Sequence, residues 1–217
     1  MGLRSFVALP VDKQGTVVRL SFDHAGKTKK DQLVISAAHG ISARQTFLLG
    51  MPYRLSPGGN NRLGDASFLY RQIWLQQDHI NGTDRFAVLG GMLLSTEDNR
   101  DPAVQIGVVS THFRDRYELD FDVLYQAGIA HRPDAARYDL SWQYRLAPTE
   151  YPKWGIAKEW YGVLELNGRW REGSSITHQV TAGIQWVHPT WVLEGGVIKD
   201  INSEKEFRYL MSLRYHF

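Results

Sequence analysis

Charge in this sequence recurs at a spacing of two. Glu118, Asp120 and Asp122 stand at alternate positions, as do Arg137 and Asp139, with Arg145 six residues further on. Two is the side-chain period of a β-strand, in which residues i and i+2 share a face. Each run is therefore a charged stripe on one face. The same parity puts Arg19 and Asp23, Arg44 and Arg54, Arg71, Glu165 and Arg169, Glu194, and Arg208 and Arg214 on the polar faces of their segments. Cations and carboxylates facing one another could line a wet passage as a charged constriction. They could also form ion-pair ladders that fill the same space. The run Glu118, Asp120 and Asp122 is expected to meet Arg137 and Arg145 on the next strand.

Other chemistry is thinner. Ser110 and His112 share a face, the spacing at which a serine nucleophile and a histidine base on a barrel wall could cut or transfer a lipid acyl group. No Asp, Glu or Asn is evident beside them, so they read as ordinary strand polar residues. The eight histidines offer no His-x-His or His-x3-His pair on one strand face, so neither a metal nor a cofactor is expected. Cysteine is absent, which removes disulfides, thiolate metal sites and thiol nucleophiles. A net charge of +2, with one short basic run at Lys27-Thr28-Lys29-Lys30, argues against a nucleic-acid partner.

The elements that must carry these stripes are strands. In the final segment Phe207, Tyr209, Met211, Leu213, Tyr215 and Phe217 fall on one parity, and Arg208, Ser212, Arg214 and His216 on the other. The alternation recurs along the chain, broken by turn signals every 10–15 residues, the rhythm of an all-β meander. Twelve strands are counted from Thr16 to the end, the least regular being Ala66–Gln77. Residues 1–15 stand apart as a segment of their own, and residues 16–217 form one barrel. No stretch is apolar for 18 residues, but a spanning β-strand needs only ~9–11, half of them facing inward.

A closed antiparallel transmembrane barrel explains this better than a soluble barrel or sandwich. Trp74, Tyr144, Trp160, Trp186, Trp191 and Tyr215 fall near one end of their strands, and Tyr53, Phe68, Tyr125, Tyr138, Trp170 and Tyr209 near the other. Two aromatic belts around an aliphatic band are the interfacial arrangement of membrane barrels. The aromatic last strand is similar to the closing strand of bacterial outer-membrane barrels. That similarity implies that Tyr215 and Phe217 serve as a signal for the barrel-assembly machinery.

Pro52-Tyr53-Arg54, the Gly-rich stretch after it, Arg62-Leu63-Gly64-Asp65 and Tyr70-Arg71 resemble a pattern of the outer-membrane channel family named for the meta-pathway of phenol degradation. The resemblance implies a monomeric barrel of about twelve strands that passes small, often hydrophobic or aromatic, molecules. On this reading the chain sits in the bacterial outer membrane with lipids as its surroundings. Gly2-Leu3-Arg4 runs straight into a strand-like segment, so the chain reads as a mature form without an export signal. Residues 1–15 are expected in the periplasm or in the lumen, where Phe6, Leu9 and Pro10 could narrow the passage. The rival functions are a lipid-modifying enzyme and a structural or partner-binding barrel.

Overall fold

The computed structural model describes residues 2–9, 11–97, 100–150, 158–202 and 206–217. Its twelve strands are β1 (Thr16–Ala25), β2 (Lys30–Ser42), β3 (Gln45–Ser56), β4 (Ala66–His79), β5 (Gly82–Leu94), β6 (Ala103–Arg114), β7 (Tyr117–Gly128), β8 (Ala135–Ala147), β9 (Glu159–Arg171), β10 (Thr177–Val187), β11 (Trp191–Asp200) and β12 (Phe207–His216). Each pairs antiparallel with its neighbour in sequence, and β1 pairs with β12 to close the barrel. Closure leaves no unpaired edge. At the last position the Phe217 amide donates to the Thr16 carbonyl at 2.8 Å.

Alternation sets which face is which, and the faces are reversed relative to a soluble protein. On β7, Tyr117, Leu119 and Phe121 are exposed while Glu118, Asp120 and Asp122 are buried. Leu20, Ile35, Leu49, Leu140, Leu164, Ile184 and Met211 continue the exposed apolar band around the wall. An apolar exterior with every strand paired suits a hydrocarbon solvent, which offers backbone groups no hydrogen bonds. Among the described residues no helix is long and apolar enough to cross a membrane.

The two ends differ. Both Thr16 and Phe217 lie at one, here the terminus end, where residues 43–44, 80–81, 115–116 and 188–190 make short turns. The long β8–β9 connection is the exception there, and its residues 151–157 fall outside the described set. At the other, the loop end, residues 57–65 and 129–134 make longer connections, as does the β5–β6 connection, whose residues 98–99 fall outside the described set. The terminus end carries an aromatic run. Trp160 and Trp186 stack with ring centroids 5.4 Å apart, Trp191 meets Trp186 edge-on at 4.8 Å, and Tyr215 meets Phe217 at 4.7 Å.

The irregularity of Ala66–Gln77 is a β-bulge. The β4–β5 register shifts between Ile73 and Leu75, leaving the intervening Trp74 turned outward and two-thirds exposed. Gln72 falls on the apolar outer face, where the Tyr70 hydroxyl donates to it at 2.8 Å. The β3–β4 pairing runs only from Gln45 to Gly50. Beyond it, the loop strip 62–64 takes over: the Gly64 amide donates to the Pro52 carbonyl and the Arg54 amide to the Arg62 carbonyl, both at 2.7 Å.

Candidate functional site: the barrel lumen

The lumen has two unlike sides. From β3 to β7 it is largely apolar: Leu69, Ile73, Ala87, Leu89, Val109 and Leu124 form one buried cluster, with Leu48 against it and Arg71 and Thr111 as buried polar exceptions. From β7 round through β12 to β1 it is charged. The predicted stripes described the second side and, of the first, only Arg71. The first was readable in β5, where Phe86–Leu94 contains no polar side chain, so both of its faces had to be apolar.

On the charged side the side chains are tied in ladders. Glu194 is fully buried and accepts from Arg19 at 2.6 Å, from Gln185 at 3.2 Å, and from Arg214 and Ser212. Asp139 accepts from Arg169 and Asn167, each at 2.6 Å. Arg208 lies between Asp23 at 4.0 Å and Asp200 at 3.9 Å. Asp200 also accepts from Gln179 at 2.7 Å. A buried carboxylate is tolerated only when it is paired and hydrogen-bonded in this way.

Of the expected meeting of Glu118, Asp120 and Asp122 with Arg137 and Arg145, Asp122 and Arg137 come within electrostatic reach, and other partners join the ladder. The register places Glu118 opposite Gln143, Asp120 opposite Ser141 and Asp122 opposite Asp139. Gln143 donates to both Glu118 and Asp120 at 2.9 Å. Arg145 reaches across to Glu159 on β9 at 3.5 Å. Arg137 lies within electrostatic reach of Asp122 and Asp139, but its guanidinium sits over the Phe6 ring, 4.3 Å from the centroid.

Two expected lumen residues lie elsewhere. Arg44 belongs to the exposed turn between β2 and β3, because the strand begins one residue later than its alternation suggested. Arg54 keeps the inward parity, but β3 outruns β4 there, so it stands exposed at the loop end and donates to the Asn61 carbonyl at 2.7 Å.

Residues 2–9 run through this interior. Leu3 is buried among Val163, Ile198 and Leu210. It lies so close to Gly183 and Gly196 that a Cβ on either would stand within 3 Å of its Cδ1. Ala8 belongs to the apolar cluster, with Phe6 against it. The segment makes no ladder of its own, so its backbone is satisfied by the wall. Arg4 N donates to Glu165 at 3.1 Å, Phe6 N to Asp122 at 2.8 Å and Ala8 N to Thr111 at 2.9 Å. The Leu3 carbonyl accepts from Arg19 and the Val7 carbonyl from Arg71. The Arg4 side chain reaches Gln179 at 2.6 Å. Arg4 was missed as a lumen residue because nothing periodic surrounds it. Pro10 falls outside the described residues.

At the loop end, Asp65 gathers Arg100 at 2.8 Å and Arg132 at 2.7 Å, tying three loops together. These residues line a cavity of about 620 Å³ with Asp101, Gln126 and His131. Nearby, the Tyr125 hydroxyl and then the Gly128 amide hold the Asp134 carboxyl below its usual range.

The outer wall corrects one expectation. His112 does have an acid beside it: Asp84 on β5, which bonds its Nδ1. The parity argument could not see this, because it rests on the β5–β6 register. Among the described residues no hydrogen bond joins Ser110 to His112, and no His, Asp and Glu cluster forms a metal site.

Closed, apolar outside and charged inside, this is the fold of outer-membrane barrels. Solved structures of that architecture are similar to it over nearly their whole length. The COG4313 outer membrane channel from Pseudomonas putida F1 aligns with a TM-score of 0.62 at 14% identity, over 99% of this chain and 98% of that one. KdgM porin aligns at 0.56 and 11% identity, over 93% and 99%. KdgM porin in complex with disordered oligogalacturonate aligns at 0.52 and 13%, over 94% and 99%. No protein-family profile matches the sequence, and no curated protein sequence matches it significantly.

Proposed function

We propose that the chain is a monomeric outer-membrane channel for small solutes, with residues 2–9 seated in its passage. The observation that carries this reading is the two-sided lumen: a largely apolar wall from β3 to β7 faces an ion-paired wall from β7 to β1. A general porin of 16–18 strands leaves a wide aqueous channel, and interior width falls with strand number. With twelve strands, paired charges and an internal segment, ions have a poor path. A small molecule with an apolar body and a polar end matches both walls. The fold it shares with the COG4313 channel and KdgM porin supports a channel. The resemblance to the meta-pathway family suggests hydrophobic or aromatic solutes. On this reading the terminus end faces the periplasm, the loop end faces outward, and Tyr215 and Phe217 address the assembly machinery.

Arg19, Arg71, Glu118, Asp120, Asp122, Arg137, Asp139, Arg145, Glu165, Arg169, Glu194, Arg208 and Arg214 are the residues proposed to line the constriction. Uptake of a small aromatic acid into proteoliposomes, run beside a phospholipid-hydrolysis assay on the same refolded sample, tests the reading. Uptake without hydrolysis is the expected result, and Arg145→Ala and Asp120→Ala should each change its rate while Leu140→Ala should not. Hydrolysis without uptake would replace the channel by an enzyme, and neither would leave a structural barrel.

A further inference from the structure

The aromatic run at the terminus end thins in one sector. On β7–β12 the outward residues near that end include Tyr117, Tyr144, Trp160, Trp186, Trp191 and Tyr215. On β4–β6 the corresponding row is Gln77, Asp84 and His112, placed side by side by the register, with Trp74 exposed deeper on β4. Both Asp84 oxygens are taken. One accepts from His112, and the other from His79 Nε2 at 2.8 Å and Arg114 at 2.6 Å. Three basic side chains therefore converge on a single carboxylate. Arg114 gives one N–H to Asp84 and one to the Phe113 carbonyl at 2.7 Å, and its other guanidinium N–H groups remain to meet an acceptor-rich ligand. One row toward mid-barrel stand Leu75, Phe86 and Ser110, and a cavity of about 540 Å³ lies against both rows.

We infer that this sector binds the phosphodiester headgroup of a bilayer phospholipid, in the leaflet at the terminus end. The inference rests on the membrane reading given above. His112 lies two residues before the end of β6. At ~3.3 Å per residue and a strand tilt of roughly 40°, it stands about 5 Å inside the turn, where headgroups meet the hydrocarbon. The phosphate oxygens accept from Arg114, and Leu75 and Phe86 take the first methylenes of the acyl chains. Aromatic residues suit that depth through their amphipathic rings. An ion cluster suits it only with a charged headgroup against it, since hydrocarbon there would leave the donors unmatched.

Native mass spectrometry of the refolded full chain, released from micelles holding phosphatidylglycerol, phosphatidylethanolamine or lipid A, tests this. Wild type is expected to retain one phospholipid of either headgroup. The double substitution Arg114→Gln with His112→Gln should weaken retention about tenfold, the loss of roughly one charge-assisted hydrogen bond. Lys199→Gln, at the loop end, should leave it unchanged. Heat-dependent gel mobility of each variant reports whether the barrel is folded. Equal retention by a folded double variant, or preferential retention of lipid A, overturns the site and leaves the membrane reading standing. A wild-type chain that does not fold into lipid or detergent at all overturns the membrane reading with it.

Discussion

Glu194→Ala is expected to destabilise the folded barrel by about 3–5 kcal/mol, the cost of removing one partner from a buried ion pair. Glu194 pairs with both Arg19 and Arg214, and it also takes bonds from Ser212 and Gln185. Its side chain has no exposed surface, and the two guanidiniums are 16% and 8% exposed. Truncation leaves two cations facing each other across the β1–β12 seam, where the barrel closes. Glu194→Gln should cost less, because an amide oxygen still accepts from one of them. Reversible urea unfolding in lipid measures both. A loss below about 1 kcal/mol for Glu194→Ala would mean that water reaches the ladder and screens it as it does a surface pair.

The second large effect separates the two faces. Leu140 and Gln143 lie on the same strand with opposite orientation, Leu140 exposed on the outer wall and Gln143 buried between Glu118 and Asp120. Leu140→Lys puts an ammonium into the apolar band and should cost ~2–4 kcal/mol if that band is at the bilayer midplane. Gln143→Lys puts the same charge between two carboxylates and should be nearly neutral. In a soluble barrel the order would reverse, since an exposed lysine is cheap in water. The difference between the two variants in one unfolding assay therefore reports the solvent around the wall.

Much of this architecture is legible in the residues. Period-two alternation gives the strands, their number and which face is charged, because a strand offers only two faces. What alternation cannot give is register, and the misplaced details follow from that. The partners of Glu118 and Asp120 depend on Gln143 standing opposite, and Asp84 meets His112 only through the β5–β6 pairing. Arg44 and Arg54 fail at strand ends, where parity holds but the wall does not continue. The apolar half of the lumen was written in Phe86–Leu94, yet a search for charge passes over it. The course of residues 2–9 had no periodic signal, since an extended segment bonded by side chains follows the wall that holds it.

The central claim is a passage occupied by the chain's own residues 2–9. Single-channel current in planar bilayers, compared between the full chain and one lacking residues 2–9, tests it most directly. The full chain should conduct weakly. Deletion frees Asp122, Glu165, Arg19 and Arg71 from the segment and should raise conductance by roughly an order of magnitude as the constriction widens. A large, stable, ohmic conductance from the full chain, unchanged by the deletion, would contradict the account.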